Sequence, residues 1–321
     1  MTLLSNLVWM AKAAVYTAAM SAVGILGAIY YYQTSLIYMA GFPAGSREHV
    51  ASPDEFQMSN YENISIRTQD GVMITGYLIK RHLGSARTAE AASAFAQPSE
   101  ATDPLSNYTL LYLHANAGNM GHRLPIARLL MERLNCNVFM LSYRGYGHSQ
   151  GTPNEKGIKI DAQAALDYIR SHDKLKNTKV ILYGQSIGGA VAINLAAQNN
   201  DKISALIIEN TFLSLRKLIP HVMKFLRPFT FLCHQIWDSE SAIGKVVDVP
   251  VLFLSGKRDE LIPQQHMIQL HARIIRERTK ANGRVDNMEF EEFKDGGHND
   301  TCIQEGYFEV IEKFFVKHFK K

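Results

Sequence analysis

Cysteine and tryptophan are scarce in this sequence of 321 residues, which contains three cysteines and two tryptophans. Cys136, Cys233 and Cys302 are widely spaced and odd in number, which excludes a disulfide framework and a C-x-x-C zinc site. The net charge of +4 is small, and no basic stripe with interleaved aromatic residues occurs, which argues against a nucleic-acid-binding protein. A Walker loop and a dinucleotide-binding fingerprint are also missing, so no metal or organic cofactor is predicted.

Charged residues are missing altogether from positions 13–46. Residues 13–32 are almost entirely apolar, and a helix of that length spans about 30 Å, the thickness of the hydrocarbon core. Trp9 at one end and a tyrosine triplet at 30–32 at the other are typical of residues at the membrane interface. A signal peptide and a buried helix are the alternatives. The tyrosines stand where a cleavage site would be expected, which favours a retained single-pass anchor.

The flanking charges are too few to fix the orientation of this anchor. The N-x-S/T triplets at Asn63 and Asn107 become glycosylation sites if the main domain is lumenal. They favour a protein of an endomembrane such as the endoplasmic reticulum. We therefore predict an anchor and linker over residues 1–45 and a folded domain over residues 46–321.

Short apolar runs alternate with helical stretches through the folded domain, which is typical of a mostly parallel sheet with helices on both faces. Residues 82–107 have low hydrophobicity and no periodicity, which predicts a flexible insertion. Residues 211–245 leave the strand pattern and predict a small helical cap. The predicted strands cover residues 61–68, 72–80, 108–113, 137–142, 178–183, 203–208, 251–254 and 287–293, and the predicted helices cover 121–134, 155–171, 188–197 and 301–319.

The sequence Gly184-Gln185-Ser186-Ile187-Gly188 lies between a predicted strand and a run of small residues with helical character. A strand, a sharp turn and a helix with serine at the apex form a nucleophile elbow. The two glycines flank a serine in a strained conformation, where a Cβ on either side would collide. A glycine-rich turn that holds an ordinary serine is the alternative interpretation.

A serine nucleophile needs a histidine base, and that base needs an acid to orient it. Asp259 follows the predicted strand 251–254, and its neighbour Glu260 and the earlier Glu209 are rival acids. His298 lies on a glycine-rich loop between the last predicted strand and helix. The order serine, acid, histidine is that of the α/β-hydrolase fold. We therefore predict a triad of Ser186, Asp259 and His298.

The loop after the predicted strand 108–113 is expected to supply a second oxyanion donor. We predict that the backbone N–H groups of Ile187 and Asn116 form the oxyanion hole, with Ala115 as the alternative donor. His114 is interpreted as a brace for this loop. Cys302 lies close to His298 and is a possible reactive thiol, although a small buried side chain is the favoured interpretation.

Residues 211–237 are apolar and basic together. One interpretation is an amphipathic helix packed on the core with its basic face in solvent. The other is a cap that lines an apolar acyl pocket and faces lipid headgroups. The pattern supports both.

With these motifs in view, the chain resembles the membrane-anchored α/β-hydrolase-domain proteins of the bud-emergence (BEM) type. The matching segments are residues 113–119, 143–149, 184–189, 209–212, 254–260 and 296–300. Ala115 departs from the His-Gly that such loops usually contain. The resemblance implies a serine hydrolase whose relatives include protein-depalmitoylating thioesterases. We expect a membrane-tethered enzyme that cleaves an ester or thioester of a small-molecule or protein-linked acyl substrate. A non-catalytic scaffold in cell polarity or membrane organisation and a serine peptidase are the alternatives.

Overall fold

The N-terminal helix is the longest element of the computed structural model, which describes residues 3–82 and 105–320. This helix, α1, covers Leu3–Ile37. Its stretch Ser5–Ile37 reaches a mean hydropathy of 1.6, and it is long and apolar enough to cross a membrane. The side chains of this apolar window face away from the rest of the described chain. The sequence-based prediction of a candidate membrane helix is therefore confirmed by length and composition.

In the described residues a single mixed sheet of eight strands forms the centre of the domain, in the order β1-β2-β4-β3-β5-β6-β7-β8. Strands β1, β2 and β4 pair antiparallel, and the remaining pairs are parallel. The strands are β1 (Tyr61–Arg67), β2 (Met73–Ile79), β3 (Tyr108–Leu113), β4 (Asn137–Ser142), β5 (Lys179–Gln185), β6 (Ala205–Glu209), β7 (Val251–Gly256) and β8 (Met288–Phe293).

Helices cover both faces of the sheet, because alternate strand residues point to opposite sides. On β5, Leu182 packs with α3, α4, α6 and α7 in one core, whereas Ile181 packs with α2 and α8 in the other. These helices, with α5 in the cap, are α2 (Leu124–Leu134), α3 (Glu155–Ser171), α4 (Ile187–Gln198), α5 (Leu215–Val222), α6 (Ser239–Ile243), α7 (Gln265–Lys280) and α8 (Tyr307–Phe319). The predicted α/β-hydrolase architecture is confirmed.

Three elements differ from the sequence-based expectation. The closing helix starts at Tyr307 rather than at residue 301, because Gly306 adopts a φ of 80° and separates it from a short 3₁₀ turn at Thr301–Ile303. Helix α7 was absent from the sequence-based assignment. The cap region holds no single long helix: α5 is followed by a 3₁₀ segment at Lys224–Leu232 that contains Pro228, which has no N–H to donate.

The end of α1 is packed against the folded domain. Gln33 and Tyr38 are 5% and 4% exposed, respectively, although both lie within the anchor and linker that the sequence assigns to residues 1–45. The Nε1 of Trp237 donates to Tyr38 Oη at 2.9 Å, and Tyr38 Oη donates to Gln235 Oε1 at 2.9 Å. The segment that the sequence assigns to the anchor and linker is thus hydrogen-bonded directly to the cap region. Most of the predicted insertion at 82–107 lies outside the described residues.

Candidate active site

Ser186 lies between β5 and α4 with φ 56° and ψ −121°, a backbone conformation that residues other than glycine rarely adopt. The neighbouring glycines are required by close packing. A Cβ at Gly184 would lie 2.2 Å from the carbonyl oxygen of Gly188, and a Cβ at Gly188 would lie 2.0 Å from that of Leu113. The strained turn therefore forms only with glycine at both positions, and it places Ser186 at the N-terminus of α4.

Ser186, His298 and Asp259 come together at the carboxyl edge of the sheet. The hydroxyl of Ser186 lies 3.0 Å from His298 Nε2, and His298 Nδ1 lies 2.8 Å from Asp259 Oδ2. The carboxylate accepts, so Nδ1 carries the proton and Nε2 is free to accept from the serine. The other oxygen, Asp259 Oδ1, accepts from the backbone N–H groups of Leu261 and Ile262 at 2.9 and 2.7 Å. These two bonds fix the carboxylate in the orientation that holds the imidazole.

The two rival carboxylates are engaged elsewhere. Glu260 Oε2 accepts from the backbone N–H of His298 at 3.2 Å and so supports the histidine loop. Glu209 is fully buried and accepts from Tyr183 Oη at 2.7 Å and from Gln185 Nε2 at 3.0 Å. Burial raises the pKa of Glu209. Of the three candidate acids, Asp259 is the one that the geometry places on the imidazole.

The loop after β3 is braced by aromatic residues. Tyr143 Oη donates to the carbonyl of His114 at 3.1 Å, and its ring centroid lies 4.3 Å from that of His114. His114 Nδ1 lies 2.7 Å from the carbonyl of Ala115, and burial lowers the pKa of this histidine to about 3. His114 is therefore neutral at physiological pH and stiffens the loop.

The side chain of Asn116 points towards the end of α1. Its Nδ2 donates to the carbonyl of Ile37 at 2.6 Å, and its Oδ1 accepts from the N–H of Met39 at 3.2 Å and from Tyr146 Oη at 2.7 Å. Among the described residues, the backbone N–H groups of Ala115 and Asn116 have no hydrogen-bond acceptor. Ile187 is the first residue of α4, a position whose N–H has no partner within the helix. Backbone N–H donors are thus available in the loop after β3 and at the start of α4, where the sequence predicts the oxyanion hole.

Comparison with known proteins places this site in a family. A family model described as an alpha/beta hydrolase fold matches residues 108–231. Protein bem46 of Schizosaccharomyces pombe is 46% identical over 293 residues, which cover 91% of this chain and 88% of that protein. The chain belongs to the bem46 family of α/β-hydrolase-domain proteins. The resemblance predicted from the motifs is confirmed.

Other members and neighbours of the bem46 family agree with this assignment. Membrane protein YNL320W of Saccharomyces cerevisiae is 36% identical over 90% of this chain and 90% of its own length. A Pyrococcus furiosus esterase matches in structure with a TM-score of 0.63 at 18% identity, over 85% of this chain and 96% of that chain, which shows a shared fold. Together with α1, these findings support a membrane-associated hydrolase.

Asn210 is a site residue of this bem46-family chain that sequence analysis missed. Its Nδ2 donates to the carbonyl of Gly297 at 3.1 Å and to Thr301 Oγ1 at 2.9 Å, and its Oδ1 accepts from the N–H of Gly256 at 2.8 Å. The buried amide therefore ties the ends of β6 and β7 to the loop that carries His298. A polar residue directly after a buried strand was the available signal.

Cys302 does not have the character of a reactive thiol in this bem46-family site. It is buried, and burial raises its pKa to about 12, so the thiolate is scarce at neutral pH. Among the residues that the structure describes, no group of three His, Cys, Asp or Glu side chains is arranged to hold a metal ion.

Proposed function

We propose that this protein is a serine hydrolase that cleaves an acyl ester or thioester through a covalent acyl-enzyme. The observation that carries the proposal is the continuous hydrogen-bonded series from Ser186 Oγ to His298 to Asp259, at 3.0 and 2.8 Å. Nucleophile, base and orienting acid in this arrangement are the requirements of acyl transfer.

In the first half-reaction, Ser186 Oγ attacks the acyl carbonyl carbon while His298 Nε2 takes the hydroxyl proton. The backbone N–H groups of Ile187 and Asn116, or of Ala115 in place of Asn116, stabilise the negative oxygen of the tetrahedral intermediate. The intermediate collapses, the bond to the alcohol or thiol breaks, and His298 gives its proton to that leaving group. A water molecule activated by His298 then releases the carboxylic acid and restores the serine.

The proposed substrates are small acyl esters and acyl groups carried on proteins, of which an S-palmitoylated protein is one. Because α1 is a candidate membrane span, substrates that are themselves membrane-bound are the most accessible. We also propose a lumenal domain in an endomembrane. Asn63 and Asn107 are exposed acceptor residues, and sensitivity of the full chain to an endoglycosidase tests this orientation.

Labelling with a fluorophosphonate probe tests the enzymatic proposal. We expect labelling of the wild type, loss of labelling and about a 10⁶-fold lower kcat in Ser186→Ala, and retained labelling in the control Ser214→Ala. Ser214 is a buried serine at the start of α5. Acyl esters and thioesters of varied chain length then define the substrate. A wild type that never labels would favour a scaffold, and turnover of peptide amides without esters would favour a peptidase.

A further inference from the structure

The cap region exposes large apolar side chains next to basic ones. Phe225 and Phe231 are 74% and 66% exposed, and both belong to the 3₁₀ segment Lys224–Leu232. Residues 211–237 contain four arginine or lysine residues and no aspartate or glutamate. Lys217 of this region pairs with Glu240, whereas Lys224 and Arg227 lie on either side of Phe225 in the sequence. Exposed phenylalanines beside such cations are typical of surfaces that contact lipid headgroups and the adjoining acyl region.

The cap region is joined to the candidate membrane helix without an intervening linker. Gln33 Nε2 donates to the carbonyl of Leu232 at 3.2 Å, and Gln33 Oε1 accepts from the N–H of His234 at 2.8 Å. The ring of Tyr30, within the apolar run, lies 5.1 Å from that of His234 in an edge-to-face contact. The residues that contact the cap are therefore the same residues at which the apolar run of α1 ends. This continuity places the cap within a few residues of the membrane surface.

Apolar side chains from other loops lie at the same edge of the sheet. Met39 and Phe42, after α1, are 43% and 59% exposed, and the N–H of Gly118 in the loop after β3 donates to the carbonyl of Phe42 at 2.7 Å. Leu261 follows β7 and is 43% exposed, and Ile303 follows β8 and is 78% exposed. The carboxyl ends of parallel strands share one edge, so the loops that carry these residues lie at the edge of the sheet where Ser186 lies.

We propose that this apolar rim, formed by Phe225 and Phe231 of the cap with the exposed residues after α1, β7 and β8, docks on the bilayer that α1 enters. The two phenylalanines lie among the upper acyl chains, and Lys224 and Arg227 lie beside the lipid phosphates. The entrance to Ser186 then opens at the membrane surface. This docking does not depend on the proposed hydrolase activity.

The test uses the full chain in proteoliposomes of phosphatidylcholine and phosphatidylserine, with lipids brominated near the headgroup. A bimane fluorophore is attached to Phe225→Cys, and a matched control carries it on Asp173→Cys. The side chain of Asp173 is 95% exposed in the loop before β5, at the opposite edge of the sheet. The three native cysteines are buried, and burial raises the pKa of each, so they react slowly with the label.

We expect brominated lipid to quench the label at position 225 at least twofold and to leave the label at position 173 unchanged. Quenching at 225 should persist when vesicles carry one protein copy each. It should weaken when phosphatidylserine is omitted or when Lys224→Glu and Arg227→Glu are introduced. Equal fluorescence at 225 with and without brominated lipid, in protein with an unchanged melting temperature, would overturn the proposal. Shielding of the label at position 225 from water only at high protein density would also overturn the proposal, because a second copy of the chain would then cover the phenylalanines.

Discussion

The segment between α1 and the folded domain should be needed for catalysis, and comparison of two fragments tests this. One fragment begins at residue 33 and the other at residue 46, so both lack the apolar run of α1. The shorter fragment loses the contacts of Ile37 and Met39 with the Asn116 side chain and that of Phe42 with the N–H of Gly118. All three bonds hold the loop that carries a proposed oxyanion donor.

The size of the effect follows from these contacts. Each bond contributes about 0.5–1.5 kcal/mol, so the three together account for about 1.5–4.5 kcal/mol of local stabilisation that is lost from the loop. An oxyanion donor contributes about 2.7–4 kcal/mol to the barrier, which corresponds to a rate factor of about 10²–10³ when it is lost entirely. We expect a kcat about 100-fold lower in the fragment 46–321 than in 33–321, because the donor is displaced rather than removed.

The assay is hydrolysis of a short p-nitrophenyl ester, with the fraction of active protein set by fluorophosphonate titration. Circular dichroism of both fragments shows whether the domain is folded. In the full chain, Asn116→Ala keeps the backbone N–H but removes the anchoring amide, and we expect it to lower kcat with little change in KM. Identical kcat values for two folded fragments would refute the role assigned to this segment.

Two further predictions concern buried polar groups. In Asn210→Ala, the N–H of Gly256 loses its acceptor, so we expect the free energy of unfolding in urea to fall by about 1–3 kcal/mol. We also expect kcat to fall, because the loop that carries His298 loses its bonds to Asn210. Unchanged values of both quantities would contradict the role assigned to Asn210. The pKa of His114 is lowered to about 3, below its value of about 6.5 in the unfolded chain. Between these two pKa values only the unfolded chain binds a proton at His114. The free energy of unfolding should therefore fall by about 1.4 kcal/mol per pH unit as the pH drops from about 6 to 4. In His114→Gln, the slope of the free energy of unfolding against pH should decrease by that amount. An unchanged slope would show that His114 is not the source of this pH dependence.

Local sequence patterns were sufficient to place the nucleophile. The elbow around Ser186 is dictated by steric contacts within a few residues of sequence, and the strands on either side are short apolar runs bounded by turns. Asp259 and His298 were placed by their positions after predicted strands, since parallel strands bring the loops that follow them to one edge. These features depend on local geometry and on a known order of elements.

Contacts between distant segments were beyond the reach of such patterns. Asn210 gains its importance from partners on two other loops, and Glu209 is held by Tyr183 and by Tyr307, which comes from α8. Helix α7 was missed although its boundaries carry the usual signals, Pro263 shortly before its first residue and Asn282-Gly283 shortly after its last. The docking of Gln33 on the cap likewise depends on a fold that brings residues 199 positions apart together.

The hydrogen-bonded contact between the end of α1 and the domain has a mechanical consequence. The tilt of a membrane helix responds to the match between its apolar length and the thickness of the bilayer. Because Gln33 and Tyr38 are hydrogen-bonded to the domain, a change in the tilt of α1 within a bilayer would rotate the domain with the helix. With α1 in a bilayer, the lipid composition would therefore change the angle between the bilayer plane and the face of the domain that carries Ser186.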